Sequence, residues 1–139
     1  EPLIFLLPKN HPLTQYDRIP VHALQGVDFI IPAAEQSQTL HNTILDFAKT
    51  HNIDLNIVQK ADSMLFNINS LGSGLGCTIL PAYVAPLGIK NTVVRPLDIE
   101  LPTLDLFVNY RKNSQSLGVQ KFIDQLTKVF HLDINLTHT

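Results

Sequence analysis

Short apolar runs alternate along the chain with segments of helical periodicity. Leu3-Ile4-Phe5-Leu6-Leu7 is apolar throughout and is closed by Pro8, which predicts a buried strand. Phe29-Ile30-Ile31 before Pro32, Leu55–Val58, Cys77–Leu80 before Pro81, and the brief Val93-Val94 read as further strands. Leu104 to Tyr110 alternates, with Leu104, Leu106, Val108 and Tyr110 on one side. Between the strands, Leu40, Ile44, Phe47 and Ala48 form one face of a helix over 38–50, with Ser37 as N-cap and Asn52 as stop. Met64, Ile68 and Leu71 do the same over 63–71, after Asp62 or Ser63. Short helices are expected at Val21–Gln25, after Pro20, and around Pro81–Ala85. The clearest helix begins after Ser116, where Val119, Phe122, Ile123, Leu126, Val129 and Phe130 make a continuous apolar stripe. That stripe calls for burial, against the chain's own sheet or another copy. Strand–helix–strand alternation predicts an α/β fold with a largely parallel sheet, and such sheets bind ligands beyond the carboxyl ends of their strands.

Composition narrows the functional classes. With 45% hydrophobic residues against 16% charged, the 139-residue chain can bury a core, as one domain or one lobe with parts of another. Ten Lys+Arg and twelve Asp+Glu are scattered without a basic stripe, so this segment lacks the clustered cations that grip nucleic acid. No run reaches the length of a membrane span. A single cysteine, Cys77, makes no internal disulfide, which points to a reducing cytoplasm. Glu1-Pro2-Leu3 enters an apolar run without a Met and reads as the interior of a longer protein.

Few residues suggest chemistry. Gly72-Ser73-Gly74-Leu75-Gly76 follows a helix and precedes a strand, the reverse of a phosphate cradle, so a helix C-cap and tight turn needing positive φ is expected. His11, His22, His41, His51, His131 and His138 show no metal-ligand spacing, and no metal or cofactor is expected. His41 lies near a helix start, where a surface or capping role outweighs ligand contact. Cys77 sits in an apolar strand, where desolvation makes a thiol a poor nucleophile. No nucleophile elbow and no paired carboxylates occur, so no catalytic residue is assigned and the chain is not read as an enzyme. The helix starts after strands are more informative. Pro32-Ala33-Ala34-Glu35-Gln36-Ser37-Gln38-Thr39 joins a strand to a helix through small residues, and its free amides and hydroxyls could hold a carboxylate. Asp62-Ser63-Met64 opens the next helix on the same side, where Met64 adds a soft apolar wall. Ordinary capping accounts for Ser37 and Ser63 equally well.

Two motifs, in order, carry a resemblance. Glu1-Pro2-Leu3-Ile4-Phe5-Leu6-Leu7-Pro8-Lys9-Asn10-His11-Pro12-Leu13 resembles the strand and His-Pro-Leu loop of the effector-binding region of LysR-type transcription regulators. Leu71-Gly72-Ser73-Gly74-Leu75-Gly76-Cys77-Thr78-Ile79-Leu80-Pro81 is similar to that family's helix–glycine–strand–Pro signature, and the likeness runs from residue 1 to about 130. It implies a Rossmann-like lobe of the type II periplasmic-binding-protein kind, with a mixed, mostly parallel sheet. It also implies a division: residues 1–11 cross into the second lobe, 12–100 form effector-binding lobe II, 101–131 return to lobe I as a strand and helix, and 132–139 are a tail. By position in the family, Ala33, Ala34, Ser37, Gln38, Thr39 and Met64 face the inter-lobe cleft, with Leu106 near the hinge. The implied partners are a small organic acid or aromatic effector and further copies of the chain. DNA is reached only through an N-terminal domain absent from this sequence. A lobe of a periplasmic solute-binding protein is the alternative, and a two-lobed enzyme is disfavoured by the missing catalytic constellation.

Overall fold

A computed structural model describes residues 1–105, 107 and 116–130. The chain divides into two units, Glu1–Asp105 and Leu106–Thr139. The first holds the strands β1 (Leu3–Pro8), β2 (Asp28–Pro32), β3 (Asn56–Ala61), β4 (Thr78–Pro81) and β5 (Thr92–Val94), and the helices α1 (Gln38–Thr50) and α2 (Met64–Gly72).

β2 pairs in parallel with β3. On its other side β2 meets Cys77, just before β4: the Cys77 amide donates to the Asp28 carbonyl and the Ile30 amide to the Cys77 carbonyl, each at 2.8 Å. β1 then runs antiparallel to both β4 and β5. The two-stranded sheet β2-β3 and the three-stranded sheet β4-β1-β5 are thus joined at the Cys77 bridge, in the succession β3-β2-β4-β1-β5. The expected mixed α/β sheet is present, but its parallel share is confined to β2 and its two neighbours. β1 is antiparallel because it enters from the side of the sheet where β2 and β4 end.

Phe29, Ile30 and Ile31 point to alternate faces of β2, yet none is more than 1% exposed, so both faces are covered. α1 leaves β2 toward β3, and α2 leaves β3 back toward β4. Right-handed crossovers in opposite directions put the two helices on opposite faces. Phe5 of β1 stacks on Phe29 of β2, with ring centroids 6.1 Å apart, within a core that includes Leu7, Ile44, Leu71 and Ile79. β3 extends past Val58 to Ala61. Gln59 and Lys60 hid this in the sequence, and they are tolerated because, among the described residues, β3 pairs on one side only. The two expected short helices are 3₁₀ turns, at Val21–Leu24 and Ala82–Leu87, and a further 3₁₀ turn, not expected from the sequence, spans Pro12–Gln15.

The glycine cluster has two separate jobs. Gly74 adopts φ +86° and closes α2: its amide donates to the Leu71 carbonyl (3.0 Å) and the Leu75 amide to that of Ser70 (3.1 Å), a Schellman arrangement. Gly76 answers to contact instead, since a Cβ there would lie 2.7 Å from the Asp28 carbonyl oxygen. In the second unit, α3 (Leu117–Phe130) matches the expected helix, and its Phe122 and Val129 are 59% and 66% exposed. Most of the strand expected over 104–110 lies outside the described residues.

Gly76→Ala is expected to cost about 2 kcal/mol, the order of an overpacked core site, because the obstacle is backbone; urea unfolding with an unshifted midpoint would refute the contact argument. Burial, aided by Asp28, pushes the Cys77 thiol up to about 12. Iodoacetamide at neutral pH should leave the native thiol unmodified and alkylate it readily in urea; rapid native alkylation would contradict the buried placement.

Candidate functional site

β2 and β3 end side by side, and both chains then turn into helices. The Ala33 amide donates to the Ala61 carbonyl at 2.7 Å, tying the two exits together. Both turns lie beyond the carboxyl ends of parallel strands, the edge at which open α/β sheets place ligands. The rim of the sheet formed here carries most of the residues singled out in the sequence.

Ala33 to Ser37 form a tight turn, with the Gln36 and Ser37 amides donating to the Ala33 carbonyl at 3.0 and 3.1 Å. Ala34, Gln38 and Thr39 are exposed, whereas Ala33, Ser37 and Met64 are half-buried. The Ser37 carbonyl receives the His41 amide (3.0 Å), the first bond of α1. The amides of Gln38, Thr39 and Leu40 therefore precede the helical ladder and have no intrahelical acceptor. The two serines expected as equivalent caps differ. Ser63 Oγ accepts the Phe66 amide at 3.1 Å, while the Ser37 side chain makes no capping bond. Ser63 is thus committed to α2, and the Ser37 hydroxyl is not used by α1. Leu106 lies outside the described residues.

Three features of this rim escaped the sequence. The His41 ring donates from Nδ1 to the Pro32 carbonyl at 2.7 Å, bracing the end of β2 and leaving Nε2 unprotonated in the neutral ring. Asn67, one turn beyond Met64, is 1% exposed, and its amide has no hydrogen-bond partner among the described residues. The third is the pairing of the amino-terminal residues with 103–104 and 82–83. Pro2 bridges Thr103, the Leu104 amide donates to the Glu1 carbonyl at 2.8 Å, the Ala82 amide donates to the Pro2 carbonyl at 2.9 Å, and Glu1 Oε1 accepts the Tyr83 amide at 3.0 Å. The segments at Glu1–Pro2 and Thr103–Leu104 thus run side by side at this rim. The Glu1-Pro2 end was visible as a strand start, but its place depended on the direction of β1.

The family described as the LysR substrate binding domain matches residues 1–131. The chain belongs to that family. Among curated relatives it is 31% identical over 123 residues to the Hca operon transcriptional activator HcaR of Escherichia coli (strain K12), covering 88% of this chain and 42% of HcaR. The chain therefore spans less than half the length of this relative. Among solved structures it resembles the CcmR regulatory domain of Synechocystis PCC6803 in complex with 2-PG, with TM-score 0.74 and 20% identity over 92% of this chain and 62% of that one. It also resembles the effector binding domain of QuiR in complex with shikimate, with TM-score 0.71 and 19% identity over 93% of this chain and 61% of that one. These likenesses establish the LysR effector-domain fold, of the type II periplasmic-binding kind. The relatives are transcriptional regulators, which favours a regulator over the solute-binding alternative.

The different roles of the two serines are measurable. Ser63→Ala should cost about 1 kcal/mol, the usual value of a lost N-cap, and Ser37→Ala only a few tenths. Equal losses in urea unfolding would mean that both serines cap.

Proposed function

We propose that this LysR substrate-binding domain senses a small carboxylic acid, aliphatic or aromatic, at the rim formed by Ala33–Thr39 and Ser63–Met64. The observation that carries this reading is the pairing of the two strand exits through Ala33 and Ala61, combined with a Ser37 hydroxyl left free of capping. The Gln38 and Thr39 amides, the Ser37 and Thr39 hydroxyls and the positive end of the α1 dipole would receive the carboxylate. Met64 would supply an adaptable apolar wall. Ligands named with the neighbours, 2-PG and shikimate, support a small-molecule effector.

In this reading, residues 1–11 enter the second lobe, 12–100 build effector-binding lobe II, and 101–131 return to lobe I, with Leu106 near the hinge. The acid would sit at this rim. Its binding would bias the lobe arrangement in an oligomer of a cytoplasmic regulator, whose separate N-terminal domain engages DNA. Ligand binding can shift such an equilibrium only by its difference in affinity for the two arrangements. The adjacent crossover segments at Pro2 and Thr103 are the natural pivot.

Calorimetry on a longer sensing region, with a panel of aromatic and short organic acids, identifies the effector. The double variant Ser37→Ala, Thr39→Val is then expected to weaken it roughly tenfold or more, the cost of a lost hydrogen bond to a charged group. Unchanged affinity would remove the carboxylate-holding role from this loop.

A further inference from the structure

Because β1 opposes β4, its carboxyl end emerges on the rim opposite Ala33 and Met64. There the loop of Lys9, Asn10 and His11 faces the Ser73-Gly74 turn, and with Asn91 they bound an open recess of about 480 Å³. Backbone bonds hold both walls. The Lys9 amide donates to the Asn91 carbonyl at 2.8 Å, and the Leu13 amide to His11 Nδ1 at 3.2 Å. The Schellman turn fixes the far side. Walls set in this way exist before a ligand arrives, so little ordering is lost on binding.

The near wall of the recess is rich in donors, while the far wall is the capped carboxyl end of α2. Lys9 supplies an ammonium, Asn10 and Asn91 supply amide donors, and no Asp or Glu is among the described residues that line it. With Nδ1 accepting, the neutral His11 ring carries its proton on Nε2, another donor. Burial lowers the His11 pKa, against a smaller opposing pull from Asp28, so the neutral donor prevails at pH 7. Donors around one ammonium, with no carboxylate in the described lining and Asp28 acting on His11 only from outside it, match an oxyanion. Its volume falls in the range of small-molecule sites, roughly 300–1,000 Å³.

We propose that this recess is a second ligand site of the domain, taking a small oxyanion, carboxylate or phosphate, independently of the loops on the opposite rim. The test is an amide NMR titration of the whole chain with sodium acetate and, separately, sodium phosphate, each against sodium chloride at matched ionic strength. Saturable shifts at Asn10, His11, Ser73, Gly74 and Asn91 are expected in at least one arm, with an affinity that the double variant Ser37→Ala, Thr39→Val leaves unchanged. Saturation by phosphate alone assigns a phosphate ligand, by acetate alone a carboxylate, and by both the shared oxyanion chemistry. Lys9 is exposed, so Lys9→Gln should preserve the spectrum elsewhere and weaken binding roughly tenfold. Shifts no larger than with chloride, or an affinity indifferent to Lys9→Gln, would overturn the proposal.

Discussion

The close approach of Gly76 to β2 is the constraint on which the lobe depends. A Cβ at this position would stand 2.7 Å from the Asp28 carbonyl oxygen, so only glycine lets the chain come near enough for Cys77 to exchange two hydrogen bonds with Asp28 and Ile30. That exchange joins the parallel pair β2–β3 to the antiparallel set β4–β1–β5. It also brings Phe29 under Phe5, so the stacked rings of the core span the junction. Without it the two sheets would each carry an unpaired strand and an open apolar face, and neither would be a stable structure.

The direction of β1 decides what each rim of the sheet can do. Running against β4, it delivers Glu1 and Pro2 to the rim where β2 and β3 end, beside Thr103 and Leu104. The candidate effector loops and these paired segments therefore share one rim. A ligand held by Ser37 and Thr39 would act on the same rim as the paired segments at Pro2 and Thr103. The same reversal carries Lys9 and His11 to the far rim, against the end of α2. The His-Pro-Leu loop and the glycine turn, distant in sequence, become two walls of one recess.

Much of this was legible in the residues. The apolar runs marked the strands, and the i, i+4, i+7 spacing of Leu40, Ile44 and Phe47 marked α1, which ends where Asn52 turns to φ +54°. The loops after β2 and β3 could be chosen because their position beyond parallel strands follows from α/β topology alone. What stayed hidden depends on tertiary pairing. An apolar strand such as Leu3–Leu7 is buried on both faces whichever way it runs, so its pattern holds no information on direction. Gly72, Gly74 and Gly76 look alike in sequence, but the limiting factor is torsion at Gly74 and a neighbouring strand at Gly76. Ser37 and Ser63 both precede helices, yet only the second bonds its helix. Asn67 was passed over because an amide between Met64 and Leu71 does not register in an apolar stripe.

The account centres on a carboxylate received where β2 and β3 end together. A crystal structure of the longer sensing region, grown with the acid that calorimetry selects, tests this most directly. The account predicts the carboxylate within hydrogen-bonding distance of the Ser37 hydroxyl or the Gln38 and Thr39 amides, with the body of the ligand against Met64. A carboxylate bound away from both loops, with Ser37 and Thr39 untouched, would contradict it.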